Sequence, residues 1–243
     1  PAGECGRMST PEAVAAVYAR GDVVKVCGIR EPEHAVAAAE AGADVLGFIF
    51  APARRQVTAE AAHACIQAAR QAKPDVLACG VFVNAPADEI TATVRAAGLD
   101  LVQLSGSESP DFAAALPVPA TKVFHPQPGL SAAEIVSEMS AYQRVGVPPI
   151  AFLLDAYSPK GAGGTGEKVD WFIAAEVRLR LPVMLAGGLA PENVAEAIAK
   201  VRPQGVDVSS GVEVDGRKSS ERIRAFVTAA RAEFALEPAT ASR

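Results

Sequence analysis

The sequence predicts a single α/β domain folded as a (β/α)8 barrel, the TIM-barrel architecture, and two patterns carry that prediction. Short apolar, β-branched runs alternate with alanine-rich or amphipathic stretches along most of the 243 residues, which is typical of a parallel sheet covered by helices. The alternation repeats eight times over about 210 residues, and eight strand–helix pairs close such a sheet. An open doubly wound sheet is the alternative, but its glycine fingerprint does not follow the first strand.

Three segments are expected along the chain. Residues 1–22 are predicted to form a short N-terminal extension with one helix from Pro11 to Ala19, since Thr10 and Pro11 suit a helix cap and a first turn. Residues 23–235 are predicted to form the barrel as a single catalytic domain, because no linker-like stretch interrupts the pattern. Residues 236–243 remain as a C-terminal tail.

The order of elements follows from the same alternation. Strands are expected to begin near residues 23, 44, 76, 100, 120, 150, 182 and 205. The helices that follow them are expected, in order, at Glu33–Ala41, Ala59–Gln71, Ala87–Ala97, Pro110–Ala115, Ala132–Arg144, Asp170–Arg178, Pro191–Lys200 and Ser219–Phe234.

Composition excludes several classes of function. A net charge of −5 with no cluster of basic residues argues against a general nucleic-acid or membrane-surface binder. No apolar run approaches the roughly 18 residues of a membrane span, and the N-terminus lacks the pattern of a secretory signal. The four cysteines form no C-x-x-C pair, and the three histidines stand in no metal-ligand spacing with them. We therefore expect no metal site, reduced thiols and a cytoplasmic location.

In such a barrel the active site lies at the carboxyl ends of the strands, so each strand end is informative. Strand 1 ends at Cys27, with Lys25 two residues earlier on the same inward face. A free cysteine in a strand is usually inert packing, but Cys27 lies at a strand end, where Lys25 could favour its thiolate. Lys25 could equally pair with Asp207 on strand 8, which is adjacent to strand 1 in a closed barrel.

Other strand ends present further polar groups. Arg54 and Arg55 follow strand 2, and Ser105 follows strand 4. After strand 3, Asn84 and Pro86 suggest a helix cap and first turn.

Strand 6 is a short apolar run, Ile150 to Leu154, that ends at Asp155 and precedes a glycine-rich loop. Asp155 is either a cap at the strand end or a catalytic acid or base. The loop from Ser158 to Gly166 is expected to cover the substrate.

The ends of strands 7 and 8 suggest a phosphate site. Gly187 and Gly188 let the backbone approach a ligand closely, while Ser209, Ser210 and Gly211 offer N–H and hydroxyl donors. Each motif alone could be an ordinary strand-to-helix turn. Together, after the seventh and eighth strands, they match the place where phosphate binds in many of these barrels.

Taken together, the motifs resemble the phosphoribosylanthranilate isomerase family of tryptophan biosynthesis, and the resemblance covers roughly residues 23–230. It rests on the ordered series KVCGIR, GADVLGFIF, RQV, GVFVN, LDLVQL, LLDAYSPKGAGGTGEKVDW, LAGGLAPENV and VDVSSGVEVDGRK.

The resemblance implies an isomerase that performs an Amadori rearrangement of N-(5-phosphoribosyl)anthranilate by general acid–base catalysis. Cys27 would be the general base and Asp155 the general acid, and Asp155 would have to stay protonated near neutral pH. Arg55 would meet the anthranilate carboxylate, with Arg54 as a solvated neighbour. Asp207 would hold a substrate hydroxyl or amine, and the glycines and serines after strands 7 and 8 would hold the phosphate. No cofactor is implied.

Two positions depart from the family pattern. The family usually has histidine where this chain has Ser105, and lysine–aspartate where it has Lys218–Ser219, which suggests a changed helix cap. Two alternatives stay open: another phosphosugar barrel enzyme, or a degenerate barrel that only binds phosphorylated ligands. The sequence is compatible with a monomer or a homodimer.

Overall fold

The computed structural model describes residues 8–127, 129–155 and 171–236. Eight parallel strands close into a barrel in sequence order, each hydrogen-bonded to its neighbours in the chain, and the eighth pairs with the first. The predicted (β/α)8 barrel is therefore confirmed. No helix within these described ranges is long and apolar enough to cross a membrane.

The barrel strands begin within one residue of the predicted positions. They are β1 Val23–Cys27, β2 Val45–Ile49, β3 Leu77–Phe82, β4 Leu101–Leu104, β5 Ala120–Phe124, β6 Ala151–Leu154, β7 Val183–Leu185 and β8 Gly205–Val208. A two-stranded hairpin, β9 Glu213–Val214 and β10 Arg217–Lys218, follows β8.

One helix precedes the barrel and the others follow its strands. They are α1 Pro11–Ala19, α2 Pro32–Ala41, α3 Ala59–Ala72, α4 Ala87–Ala97, α5 Pro110–Ala114, α6 Ala132–Gln143, α7 Trp171–Arg178, α8 Val194–Val201 and α9 Ser220–Leu236. A short 3₁₀ helix, Ser210–Val212, lies between β8 and the hairpin.

The predicted start of α8 at Pro191 is wrong by three residues. The Asn193 side chain accepts a hydrogen bond from the Ala190 N–H at 2.8 Å and donates to the Gly188 carbonyl at 3.0 Å. These bonds hold residues 190–193 as a turn, so the helix begins at Val194. Proline at a first helical position is a common start signal, and here the asparagine overrides it.

Two buried carboxylates join neighbouring strands at the amino-terminal end of the barrel. Asp44, just before β2, accepts from the Val24 N–H of β1 at 2.9 Å. Asp100, just before β4, accepts in the same way from the Ala78 N–H of β3 and from Arg70, both at 2.7 Å. Each aspartate follows by two residues a left-handed glycine that ends a helix, so one local motif is used twice.

Helix α1 covers the amino-terminal end of the barrel. Its Val14 and Tyr18 are buried against the apolar residues that fill the barrel interior. Those interior residues are Val23, Val45, Leu77, Cys79, Leu101, Val123, Ala151, Leu153, Met184 and Ala186. The helix predicted at Pro11 to Ala19 is confirmed, while the three segment boundaries stay a prediction.

Candidate active site

A cavity of about 310 Å³ opens at the carboxyl-terminal end of the barrel, which we call the mouth. Residues from the ends of all eight barrel strands come together there. The predicted site residues that line it are Cys27, Arg55, Asp155, Gly187, Gly188, Asp207, Ser209 and Ser210. Gly211, the remaining predicted residue, lies beside the cavity without lining it.

Cys27 is buried at the end of β1, in the wall of the cavity. Gly47 on the paired strand makes room for it, since a Cβ at position 47 would come within 2.7 Å of Sγ. Burial raises the pKa of the Cys27 thiol above its ordinary value, and the charges of Lys25 and Lys218 only partly oppose that rise. The charge of Lys25 does favour the thiolate, as the sequence suggests, but burial has the larger effect on the pKa of Cys27.

Lys25 and Asp207 form an ion pair inside the barrel, with Nζ and Oδ2 2.8 Å apart. The two residues are register partners on β1 and β8. Burial lowers the pKa of Lys25 and the charge of Asp207 raises it, with a net upward shift, so the proton stays on the lysine. The second oxygen of Asp207, Oδ1, has no hydrogen-bond partner among the described residues.

Arg55 lines the cavity from the loop after β2 and is held by Glu213, a residue that the sequence does not single out. Its Nε and Nη2 donate to the two carboxylate oxygens at 2.5 and 3.0 Å. Such a two-bond contact fixes the plane of the guanidinium. Arg54 was expected to be merely solvated; it is half-exposed, yet it also donates to Glu213, at 2.6 Å.

The β9–β10 hairpin positions Glu213 opposite Lys218, with their charged atoms 3.4 Å apart. Burial raises the pKa of Glu213, but bonds from Arg55 and Arg54 and the charge of Lys218 lower it to about 2. Burial lowers the pKa of Lys218 to about 8, despite the opposing charge of Glu213. An Asp–Gly pair at the turn is the sequence signal that could have revealed this hairpin.

Lys218 has a structural role besides the changed helix cap that the sequence suggests. Its Nζ donates to the Ser209 carbonyl at 2.7 Å, so the hairpin also supports the segment after β8. Ser219 does cap the helix that follows, because its hydroxyl accepts from the Arg222 N–H at 3.3 Å.

The segments after β7 and β8 offer glycine backbone that a ligand can approach closely, together with one serine hydroxyl. Gly187 and Gly188 have φ of 85° and 67°, in the left-handed region that glycine adopts without strain. Ser209 Oγ is buried and has no hydrogen-bond partner among the described residues. A Cβ at Gly211 would come within 1.9 Å of the Leu189 carbonyl oxygen, so this glycine lets the two segments touch.

Two polar residues near the mouth have structural partners. Ser105 lines the cavity, and its hydroxyl accepts from the Gln103 amide at 3.2 Å. Asn84 is not a helix cap: its side-chain oxygen accepts from the Ser107 N–H at 2.7 Å and thereby joins the loops after β3 and β4. Pro86 occupies the cap position of α4 instead.

His125 is a cavity residue that the sequence patterns do not single out. It follows the last residue of β5, and its Nδ1 lies 4.0 Å from Asp155 Oδ2. The signal that could have found it is its place at a strand end, the same signal that indicates Cys27 and Asp155. The expected cover from Ser158 to Gly166 lies outside the described residues.

The arrangement suits acid–base chemistry on a phosphorylated ligand. A thiol on β1 and a carboxyl group on β6 line one cavity, separated around the barrel by the two strand ends that offer anion-binding donors. Groups of these types can remove a proton from carbon and protonate an oxygen in the same site.

Comparison with known proteins gives a consistent result. The family model described as N-(5'phosphoribosyl)anthranilate (PRA) isomerase matches residues 24–229. Among curated relatives, the N-(5'-phosphoribosyl)anthranilate isomerase of Roseiflexus castenholzii is 44% identical over 218 residues, covering 86% of this chain and 98% of its own. The corresponding protein of Pelobacter propionicus is 45% identical over 210 residues and covers 86% and 95%.

Solved structures show the same likeness. The phosphoribosyl anthranilate isomerase of Thermus thermophilus is 35% identical with a TM-score of 0.72, and that of Thermotoga maritima is 32% identical with a TM-score of 0.74. Each covers 86% of this chain and 98% of its own length. A further phosphoribosyl anthranilate isomerase, 31% identical with a TM-score of 0.71, is solved with reduced 1-(o-carboxyphenylamino)-1-deoxyribulose 5-phosphate.

Proposed function

Because this chain belongs to the phosphoribosylanthranilate isomerase family, we propose that Cys27 is the general base and Asp155 the general acid of its reaction. The reaction is the Amadori rearrangement of N-(5-phosphoribosyl)anthranilate to 1-(2-carboxyphenylamino)-1-deoxyribulose 5-phosphate, in tryptophan biosynthesis. The observation that supports the assignment is one cavity lined by both residues and by the ends of β7 and β8.

The proposed first step opens the sugar ring. Asp155 gives its proton to the ring oxygen, the bond from that oxygen to C1′ breaks, and the anilino nitrogen lone pair forms a C=N bond to C1′. The proton must be on the carboxyl group at this moment. Asp155 follows β6 at the wall of the cavity, with 15% of its side chain exposed.

The proposed second step moves the double bond. The Cys27 thiolate removes the proton from C2′, and the electron pair forms C1′=C2′ while the nitrogen regains its lone pair. The resulting enolamine tautomerises to the C2′ ketone. Lys25 and Lys218 favour the thiolate electrostatically, against the effect of burial.

The remaining roles concern binding. Arg55, oriented by Glu213, would bind the anthranilate carboxylate, and Asp207 would use Oδ1 to hold a hydroxyl or amine of the substrate. Gly187, Gly188, Ser209, Ser210 and Gly211 would surround the phosphate.

Substitution of the two proposed catalytic residues tests the assignment. Phosphoribosylanthranilate is generated in situ, and its loss is followed by fluorescence for the wild type, Cys27→Ala and Asp155→Ala. We expect each substitution to lower kcat at least about a hundredfold, the scale of acid–base contributions.

Cys65→Ala and Asp111→Ala are matched controls, because Cys65 is buried in α3 away from the cavity and Asp111 lies on α5. Both should keep near-wild-type turnover. Near-full activity in both active-site variants would overturn the assignment of roles. A wild type that binds the reduced product analogue without turnover would instead support a degenerate barrel.

Two further expectations await measurement. The phosphoribosylanthranilate isomerase of Thermotoga maritima is dimeric, and for this chain a monomer or a homodimer is proposed, to be decided by light scattering. A cytoplasmic location also stays a prediction, as does the exclusion of nucleic-acid and membrane partners.

A further inference from the structure

His125 and Asp155 occupy matching positions on neighbouring strands. The β5–β6 register pairs Val123 with Leu153, and both side chains point into the barrel interior. Side chains alternate along a strand, so residues two further on point the same way. The Asp155 N–H donates to the Phe124 carbonyl at 3.0 Å, which continues the ladder beyond the assigned strands. His125 and Asp155 are therefore side by side in the next inward row, at the mouth.

The separation of the two groups is close to that of a hydrogen bond. Nδ1 of His125 and Oδ2 of Asp155 are 4.0 Å apart, and both residues line the cavity with about a fifth or less of the side chain exposed, 22% and 15%. A movement of about 1 Å would bring them into direct contact, and catalytic hydrogen bonds commonly tighten when substrate binds.

The backbone that carries His125 is well supported. On the outward side of β5, Phe124 meets the rings of Tyr142 and Phe152 edge-on, with centroids 5.5 and 5.7 Å away. Aromatic clusters of this kind hold a strand end in place. The imidazole is thus presented to Asp155 from a rigid element instead of a long loop.

Most of the other titratable groups at this end of the barrel form ion pairs of their own. The titratable groups that share the cavity or flank β5 are Cys27, Arg55 with Glu213, Asp207 with Lys25, and Lys122 with Glu108. The Asp155 carboxyl group lies 4.0 Å from Nδ1 of His125.

The proposed reaction leaves Asp155 without the proton that it needs for the next turnover. After ring opening and removal of the C2′ proton, Asp155 is a carboxylate and Cys27 is a thiol, while the final tautomerisation changes neither. Before the next turnover Cys27 must lose a proton to water and Asp155 must regain one. A neutral imidazole can take up a proton at its unprotonated nitrogen and release it again, and the ordinary pKa of an imidazole lies near neutral. Nε2 of His125 is buried, so Nδ1, which faces Asp155, is the nitrogen that would exchange this proton.

We propose that His125 is a positioning residue that shares one proton with Asp155 and returns that proton to the carboxylate after each turnover. The inference rests on the proposed role of Asp155 as general acid. When the proton is on the carboxyl group, neutral Nδ1 accepts its hydrogen bond and orients it. When the carboxylate has given that proton away, Nδ1 of His125 takes one from water and passes it to Oδ2.

Sharing a proton widens the pH range in which the acid is available. With His125 present, the pair as a whole holds its last proton to a higher pH than an isolated carboxyl group would. Without His125, the limb of the pH–rate profile that belongs to the acid should move to lower pH. The limb that belongs to Cys27 should stay in place.

The experiment compares His125→Ala and His125→Gln with the wild type over the full pH profile of kcat and KM. We expect kcat at neutral pH to fall about tenfold in both variants, with KM changed less than about twofold. The limb of the pH–rate profile that reports the general acid, called the acid limb below, should move to lower pH by about one unit. Added imidazole should restore part of kcat in His125→Ala. His63→Ala is the matched control, since His63 lies on α3 and bonds the Ala97 carbonyl.

Failure of this inference and failure of the proposed function are distinguishable. If Asp155→Ala stays active, the assignment of the acid is wrong. If Asp155→Ala is impaired but His125→Gln keeps wild-type kcat and an unmoved acid limb, only the role of His125 is overturned. In the Asp155→Ala background, removing His125 should cause no further loss; a further loss would mean that His125 acts on the substrate itself. Binding of the reduced product analogue reports whether each variant is folded.

Discussion

At the scale of single residues, Glu213 organises one side of the mouth. Arg54, Arg55 and Lys218 all direct donors or charge at its carboxylate, and the pKa of Glu213 falls to about 2 as a result. Arg55 is consequently held in one orientation before any ligand arrives. An arginine held in this way loses less conformational freedom when it binds a carboxylate.

Glu213→Gln should weaken substrate binding more than catalysis. The amide cannot accept two charged bonds from Arg55, so we expect KM to rise about tenfold while kcat changes little. Steady-state kinetics at neutral pH measure both constants. Glu196→Gln, which removes an exposed pair with Lys200 on α8, should change neither. An unchanged KM in Glu213→Gln would contradict the proposed orientation of Arg55.

Glu213→Gln also tests how the stability of the folded protein depends on pH. The pKa of Glu213 is lower in the folded protein, about 2, than in the unfolded chain, so its stabilising contribution is present above the unfolded value and is lost as pH falls towards about 2. Urea unfolding at neutral pH and at about pH 3 should therefore show a smaller loss on acidification in Glu213→Gln than in the wild type.

Single residues differ in how far the sequence could reveal them. Cys27 and Asp155 stand at the ends of apolar runs, so their position follows from periodicity once the strands are counted. Glu213 and His125 need a further step, since one depends on a hairpin fold and the other on the register of two strands. Register is a tertiary property that a single run of residues does not contain.

At the scale of elements, the segments after β7 and β8 function as one unit. Gly211 allows its own segment to touch the Leu189 carbonyl, and Lys218 supports Ser209 from the hairpin. The proposed phosphate site therefore depends on the contact between two segments as much as on the donors within each.

Gly211→Ala should separate these two segments. The added Cβ would come within 1.9 Å of the Leu189 oxygen, which the backbone can relieve only by moving. We expect affinity for the reduced product analogue, measured by calorimetry, to fall at least about tenfold, with a loss of stability of about 1–3 kcal/mol.

Gly146→Ala is the control for this change, because among the described residues nothing beyond its chain neighbours lies within 4 Å of a Cβ at position 146. Its affinity should match that of the wild type. Wild-type affinity in Gly211→Ala as well would show that the contact between the segments does not shape the site.

Elements were predicted well where periodicity and capping agree. Helix α6 begins at the predicted residue, where Ser131 and Glu134 form a reciprocal cap. Helix α8 was misplaced at its start because a side chain competes with the backbone there. The β9–β10 hairpin was not predicted, since strands of two residues have no measurable period.

At the scale of the whole molecule, the two ends of the barrel have different tasks. The mouth gathers the groups proposed for chemistry, while the opposite end holds α1 and the buried carboxylates Asp44 and Asp100. Separation of function from stability between the two ends is general in these barrels. Counting eight strand–helix pairs was enough to predict the barrel, but the packing of α1 against its interior was not visible in any local pattern.

Asp100→Ala should lower stability without lowering turnover. The wild-type side chain is fully buried and accepts bonds from Arg70, the Ala78 N–H and the Ser9 N–H. Its removal leaves the Arg70 charge buried, which we expect to cost about 3–5 kcal/mol in urea unfolding. The kcat of the folded fraction should stay within about twofold of the wild type, because Asp100 lies at the end opposite the mouth.

Asp88→Ala, on the surface of α4, controls for loss of a carboxylate and should leave stability nearly unchanged. A large loss of kcat in folded Asp100→Ala would contradict the separation of the two ends.

The hairpin between β8 and α9 also bears on which molecules fit. It holds Arg55 through Glu213 and the Ser209 backbone through Lys218, so the span between the proposed carboxylate and phosphate positions is set by the protein and not by its ligand. A site with two binding positions at a fixed distance selects its ligands by their length. An analogue with one extra carbon between the aromatic acid and the phosphate would reach one anchor only, and its affinity would fall to that of the single anchored group.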